Sequence, residues 1–224
     1  MLKREDFTPE RVDALIAEAR KHGPYDALTH EEREASRQAF LTQNKTDGLW
    51  VFGYGSLLWN PAFHFEHSEP ARLFGYRRNF CLKLPMGRGS PEFPGIMLAL
   101  DLGGSCNGRA FYIKPEQVDS ETRILWLREM LSGAYHAAHC RMRLGDKTVS
   151  GLTFVVNRRH SRYINDLDLK EKMHLIATGS GYLGTCRDYL DNTVAHLDEI
   201  NVRDRYLHQL KNMIDRKYPV SQKK

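Results

Sequence analysis

The sequence predicts an α+β fold, with a β-rich middle set between helical ends. Three observations predict it. Between Leu49 and about Val156, short segments rich in β-branched, aromatic and Leu residues are punctuated by Pro and Gly. One segment inside that stretch, Pro115–Leu131, has no internal Gly or Pro and starts with a proline followed by an acid. The residues on either side, 1–45 and those after Val156, carry helical capping and spacing signals.

In chain order, Thr8 can cap a helix with Pro9 at its first position, and Gly23-Pro24 ends it. Thr29 and Glu32 form a capping box for a second helix running to about Phe40. Thr42–Gly48 reads as a polar linker, so residues 1–45 form an N-terminal helical extension and 46–224 the main domain. No site residue is expected in the extension. The predicted strands are Trp50–Leu58, Arg72–Leu84, Gly95–Asp101, Gly108–Ile113, Ala137–Leu144 and Thr148–Val156, an antiparallel or mixed sheet for which closure into a barrel is one solution. Helices follow over Asp168–Thr178, Cys186–Leu197 and Glu199–Tyr218, the last with Tyr206, Leu207, Leu210, Met213 and Ile214 at helical spacing.

Composition narrows the function. The chain has 224 residues, 41% hydrophobic and 27% charged, enough for one sizeable core. Lys and Arg number 33 against 28 Asp and Glu, a mild net +5 that is dispersed apart from Arg77-Arg78, Arg158-Arg159 and Lys223-Lys224. A nucleic-acid binder needs a denser stripe and a reading motif, and neither is present. A basic balance suits a small acidic substrate. The start, Met1–Asp6 followed by Pro9 and Glu10, is not that of a signal peptide, and no run approaches the ~20 apolar residues of a membrane span. Cys81, Cys106, Cys140 and Cys186 form no CxxC pair and read as reduced thiols of a cytoplasmic protein.

Two features suggest chemistry. Val51-Phe52-Gly53-Tyr54-Gly55-Ser56-Leu57-Leu58 is an apolar strand running into two glycines and a serine, a turn whose N–H groups and hydroxyl can cradle a carboxylate or oxyanion. The competing reading is a β-bulge that uses glycine for shape. Ser56 is not flanked as in a GxSxG elbow and is a poor nucleophile. The second feature is Glu129, which shares a helical stripe with Val118, Thr122 and Leu125 beside Trp126, Leu127, Met130 and Leu131. Burial raises a carboxyl's pKa toward neutrality, as a general acid or base needs. An ion pair with Arg123 or Arg128, or a frayed helix end, are the alternatives.

Other motifs are weaker. Gly179-Ser180-Gly181-Tyr182-Leu183-Gly184 matches GxGxxG, but the preceding residues have helical spacing, so it reads as a loop between helices. His136, His139 and Cys140 have metal-like spacing only in a helix. In the strand expected there, His139 and Cys140 face opposite ways, and His64 with His67 is equally thin. No metal and no cofactor is expected.

Taken together, the chain resembles the ChaC family of glutathione-specific γ-glutamylcyclotransferases. The resemblance rests on Val51–Leu57, on Arg88-Gly89-Ser90 followed by Pro94-Gly95, and on Gly108-Arg109-Ala110. It continues in Leu127-Arg128-Glu129 with Gly133-Ala134-Tyr135 and in Tyr189, spanning roughly Leu49 to Tyr218. It implies a small mixed β-barrel flanked by helices and a cofactor-free cyclisation of the γ-glutamyl group of glutathione, releasing 5-oxoproline and cysteinylglycine. It also implies that Glu129 is the catalytic acid and base, that Tyr54, Gly55, Ser56 and Leu57 cradle the substrate, and that Tyr189 contacts the γ-glutamyl end. Arg88 is expected to pair with the terminal glycine carboxylate. The alternatives are a cyclotransferase for other γ-glutamyl amino acids or amines, and a non-catalytic regulator of cation transport. Oligomeric state is left open.

Overall fold

The computed structural model describes residues 3–21, 23–44 and 47–219. Two N-terminal helices, α1 (Pro9–Lys21) and α2 (His30–Gln43), start where their caps predict. The Arg11 amide donates to Thr8 Oγ1 at 3.2 Å, and Thr29 with Glu32 forms the expected reciprocal box. Lys45 and Thr46, in the predicted linker and at the predicted domain boundary, lie outside the described residues, as does the Lys223-Lys224 tail.

Five strands close a barrel: β1 (Leu49–Gly53), β2 (His67–Leu84), β3 (Gly95–Ile113), β4 (Tyr135–Leu144) and β5 (Lys147–Val156), in the order β1-β3-β2-β4-β5. All neighbours are antiparallel except β1 and β5, whose parallel pairing of Trp50 with Gly151 and Val51 with Leu152 completes the closure. Period-2 alternation divides the strands between two cores. Leu49 and Val51 pack with Leu125 and Trp126, whereas Phe52 packs with Leu98, Leu190 and Leu210.

The structure corrects two strand boundaries. The predicted strands Gly95–Asp101 and Gly108–Ile113 are one strand, β3, 19 residues long. Gly103 and Gly104 have φ of +103° and +71°, so the backbone bends without leaving the ladder, beside a register shift at Phe74/Tyr76. The predicted strand Trp50–Leu58 stops at Gly53, and Ser56–Leu58 forms a 3-10 turn.

The helix predicted over Pro115–Leu131 is a 3-10 turn followed by α3 (Val118–Glu129). α2 docks on α3 through Arg37, which is fully buried: its Nη1 donates to Thr122 Oγ1 at 2.9 Å and its Nη2 pairs with Glu34 and Asp119. After the barrel come α4 (Leu169–Thr178), the short strands β6 (Ser180–Gly181) and β7 (Gly184–Thr185), α5 (Cys186–Glu199) and α6 (Arg205–Lys217). α6 begins later than expected because Asp204 caps it, accepting from the Leu207 amide at 3.0 Å. The four cysteines are free and buried, and among the described residues no helix is long and apolar enough to cross a membrane.

Candidate active site

Two chain segments far apart in sequence meet at one end of the barrel. The first is the turn after β1. Tyr54 is buried, and its carbonyl accepts from Arg78 Nε at 2.7 Å; Arg78 is itself paired with Asp204 at 2.7 Å. Gly55 takes φ −135°, ψ −125°, an unusual conformation, and Leu58 N–H bonds back to its carbonyl at 2.9 Å. Leu57 turns into the cluster around Leu125 and anchors the turn from below.

The second segment is the end of α3. Arg128 Nε donates to Glu129 Oε1 at 2.8 Å, and its Nη2 donates to Ser56 Oγ at 2.8 Å. Its Nη1 donates to the carbonyls of Asn60 and Pro61. One guanidinium therefore ties the acid to the glycine turn. Of the readings open for Glu129, the ion pair with Arg128 is present, so the carboxylate is charge-paired and not enclosed in hydrocarbon. Its side chain keeps 17% of its exposure against 9% for Arg128, which leaves it facing open space.

Three tyrosines surround that carboxylate. Tyr189, on the first turns of α5, receives the Ser56 amide; burial and then the Glu129 charge push its hydroxyl up. Tyr54 and Tyr135 are pushed well up for the same first reason, burial, with Glu129 contributing to both. All three stay protonated and can donate. The Tyr135 hydroxyl donates to the Leu98 carbonyl at 3.0 Å. Because Ser56 gives its amide to Tyr189 and accepts from Arg128, the predicted cradle is already bonded into its surroundings.

These groups line the floor of a cavity of about 280 Å³. Tyr54, Gly55, Ser56, Leu57, Arg88, Glu129 and Tyr189 all border it, so the predicted site residues converge. Arg88 Nη1 donates to the Thr185 carbonyl at 2.9 Å, and its guanidinium carbon lies 5.7 Å from the centre of the Tyr189 ring. The GxGxxG segment is the β6–β7 hairpin between two helices, as expected. Its tip residues Tyr182 and Leu183 line the cavity, and the Leu183 amide holds Gly87 at 2.8 Å.

Sequence reasoning missed Tyr135, Arg128 as the clamp, Arg162 and the N-terminal residues of the wall. Arg162 borders the cavity and is held by the Lys83 carbonyl at 2.8 Å and Ser132 Oγ at 3.1 Å. Tyr135 follows Gly133 in a motif that had a signal; Arg162 lies in a loop that had none. The metal-like set is dispersed, with exposed His139 stacked on Phe40 at 4.0 Å and Cys140 buried on the other face. Among the described residues no group of three or more His, Cys, Asp or Glu could hold a metal ion.

A five-stranded barrel with an acid clamped to a glycine turn defines a class of small-molecule site, and comparisons place it in a family. A family model described as ChaC-like protein matches residues 49–217. The chain is 40% identical over 182 residues to the Escherichia coli (strain K12) glutathione-specific gamma-glutamylcyclotransferase, covering 80% of this chain and 79% of that protein. It is 29% identical to the Homo sapiens glutathione-specific gamma-glutamylcyclotransferase 1, covering 75% and 78%. The crystal structure of the yeast gamma-glutamyl cyclotransferase specific to glutathione superposes with a TM-score of 0.71 at 20% identity, over 78% of this chain and 98% of that one, and shares the fold. The chain belongs to the ChaC-like family.

Proposed function

We propose that this protein cleaves glutathione by cyclising its γ-glutamyl group, releasing 5-oxoproline and cysteinylglycine. The observation that carries the reading is the Glu129 carboxylate, open to the cavity yet held by Arg128 against the Gly55-Ser56 turn. The substrate's α-amine attacks its own γ-carbonyl carbon, forming the ring C–N bond. Glu129 takes the proton that the amine loses and returns it to the nitrogen of cysteinylglycine as the old amide bond breaks. Nucleophile and electrophile belong to one molecule, so holding it folded supplies much of the rate. The floor is suited to that task, because Tyr54 and Tyr189 present neutral hydroxyls around the reacting end, while Tyr135 spends its proton on the Leu98 carbonyl.

Arg88 and Arg162, on the cavity border, are the cations for the substrate's terminal carboxylate. The cyclotransferase domain comprises residues 46–224, with 1–45 as a helical extension. A cytoplasmic location belongs to the same proposal and agrees with four free cysteines. The relatives named for this activity support the substrate assignment. Purified protein incubated with glutathione should release 5-oxoproline and cysteinylglycine in equal amounts. No release would overturn the reading; faster turnover of other γ-glutamyl amino acids or amines would move the chain to the broader cyclotransferases.

A further inference from the structure

The N-terminal segment carries no chemical motif, yet it forms one wall of the cavity. Phe7, Val12 and Ile16 are 7%, 1% and 7% exposed, but none belongs to the three hydrophobic clusters of the domain. With Leu15 and Tyr25 they border the cavity instead. Two contacts fix this segment to the catalytic helix. Arg4 makes a two-pronged pair with Glu121 of α3, whose side chain is 3% exposed. Phe7 lies beneath Arg128, its ring centre 5.7 Å from the guanidinium carbon, so it touches the clamp that holds Glu129. From the opposite side Tyr182, at the tip of the β6–β7 hairpin, borders the same cavity as Tyr25 while staying exposed on its outer side. α1 and the hairpin tip thus line one and the same cavity. The segment also lies outside the residues matched by the family model, 49–217.

We propose that α1 is the substrate-selecting roof of the active site, and that Leu15 and Ile16 read the side chain of the residue attached to the γ-glutamyl group. The inference rests on the cyclisation reading above. The γ-glutamyl end must reach Glu129, so it occupies the polar floor. The next residue then faces the apolar roof, which favours a small, weakly polar side chain such as a thiol and disfavours a charged one.

The test is the double variant Leu15→Ala/Ile16→Ala, assayed with glutathione and with γ-glutamylglycine, whose second residue has no side chain. The ratio of the two kcat/KM values should fall about tenfold, mostly through the KM for glutathione. A loss shared equally by both peptides, or an unchanged ratio, overturns the roof. If circular dichroism shows the double variant unfolded, Leu15→Ala alone, at a half-exposed position, carries the same comparison with a smaller shift. A wild-type protein that releases 5-oxoproline from neither peptide defeats the cyclisation reading itself. One that turns over γ-glutamylglycine faster than glutathione leaves cyclisation standing and defeats the roof.

Discussion

The hydroxyl of Tyr189 stands where a Cβ on residue 55 would have to be, so α5 and the turn after β1 approach as they do because position 55 is glycine. The same hydroxyl receives the Ser56 amide. One phenol therefore sets the distance between the helix and the turn, and a buried hydrogen bond and a missing side chain depend on each other.

Gly55→Ala should destabilise the protein by about 1–3 kcal/mol, the range for forcing an extra methyl into a packed site. Tyr189→Phe removes the oxygen that the methyl meets. Denaturant unfolding of wild type, both single variants and the double should show the double less destabilised than the sum of the singles. Strict additivity would mean that the two positions do not share the space.

Glu129→Gln should leave the fold intact and lower kcat for glutathione on the order of 10²-fold or more, since the amide keeps the shape and cannot carry the proton. Comparable turnover in this variant would remove Glu129 from the chemistry and favour a non-catalytic role for the family site.

Arg4→Ala leaves Glu121 buried with, among the described residues, the His64 amide, Ser120 and the more distant His64 imidazole at 3.9 Å as remaining partners. The expected loss is about 1–3 kcal/mol, the cost of a buried polar group deprived of a partner. It should be accompanied by faster hydrogen exchange in α1 than in α5. Unchanged stability and exchange would show that the N-terminal segment is held by other means.

Stability should also depend on acid through Glu34. The hydrogen bond from Arg37 is the main cause that holds its carboxyl down at about 2, from an ordinary value of 4.5. Its folded value is depressed, so its contribution is fully present above 4.5 and is lost as pH falls toward 2. Glu34→Gln should be less stable than wild type near neutral pH, with the difference narrowing below 4.5 and closing only as pH approaches about 2. A difference that persists or grows in acid would contradict the clamp.

Much of this architecture could be read from periodicity and punctuation. The capping pair Thr29 and Glu32 and the uninterrupted apolar spacing of α3 are local signals, and the elements they mark are where they should be. β3 was misread because Gly103 and Gly104 look like a turn, and only the paired strand shows that the ladder continues through them. Glu129 and the glycine turn were visible because each breaks a local rule. Arg128 was visible only as one possible ion-pair partner of Glu129, and its hold on Ser56 was not, nor was Arg162, because a surface-type residue becomes a clamp or a pocket cation only through tertiary contact. α1 gave a helix signal, but nothing in its own sequence reveals that its apolar stripe faces a cavity.

The four buried thiols bear on how such a protein survives its own chemistry. Burial pushes Cys81 and Cys140 up to about 12 and Cys106 and Cys186 to about 11. Only the thiolate attacks a disulfide, so sulfur held this way is nearly inert at neutral pH. A catalyst that meets a thiol peptide in every turnover also meets that peptide's oxidised dimer. With its cysteines held un-ionised near neutral pH, a chain that turns over glutathione as proposed can work in a changing redox buffer without being capped by its own substrate.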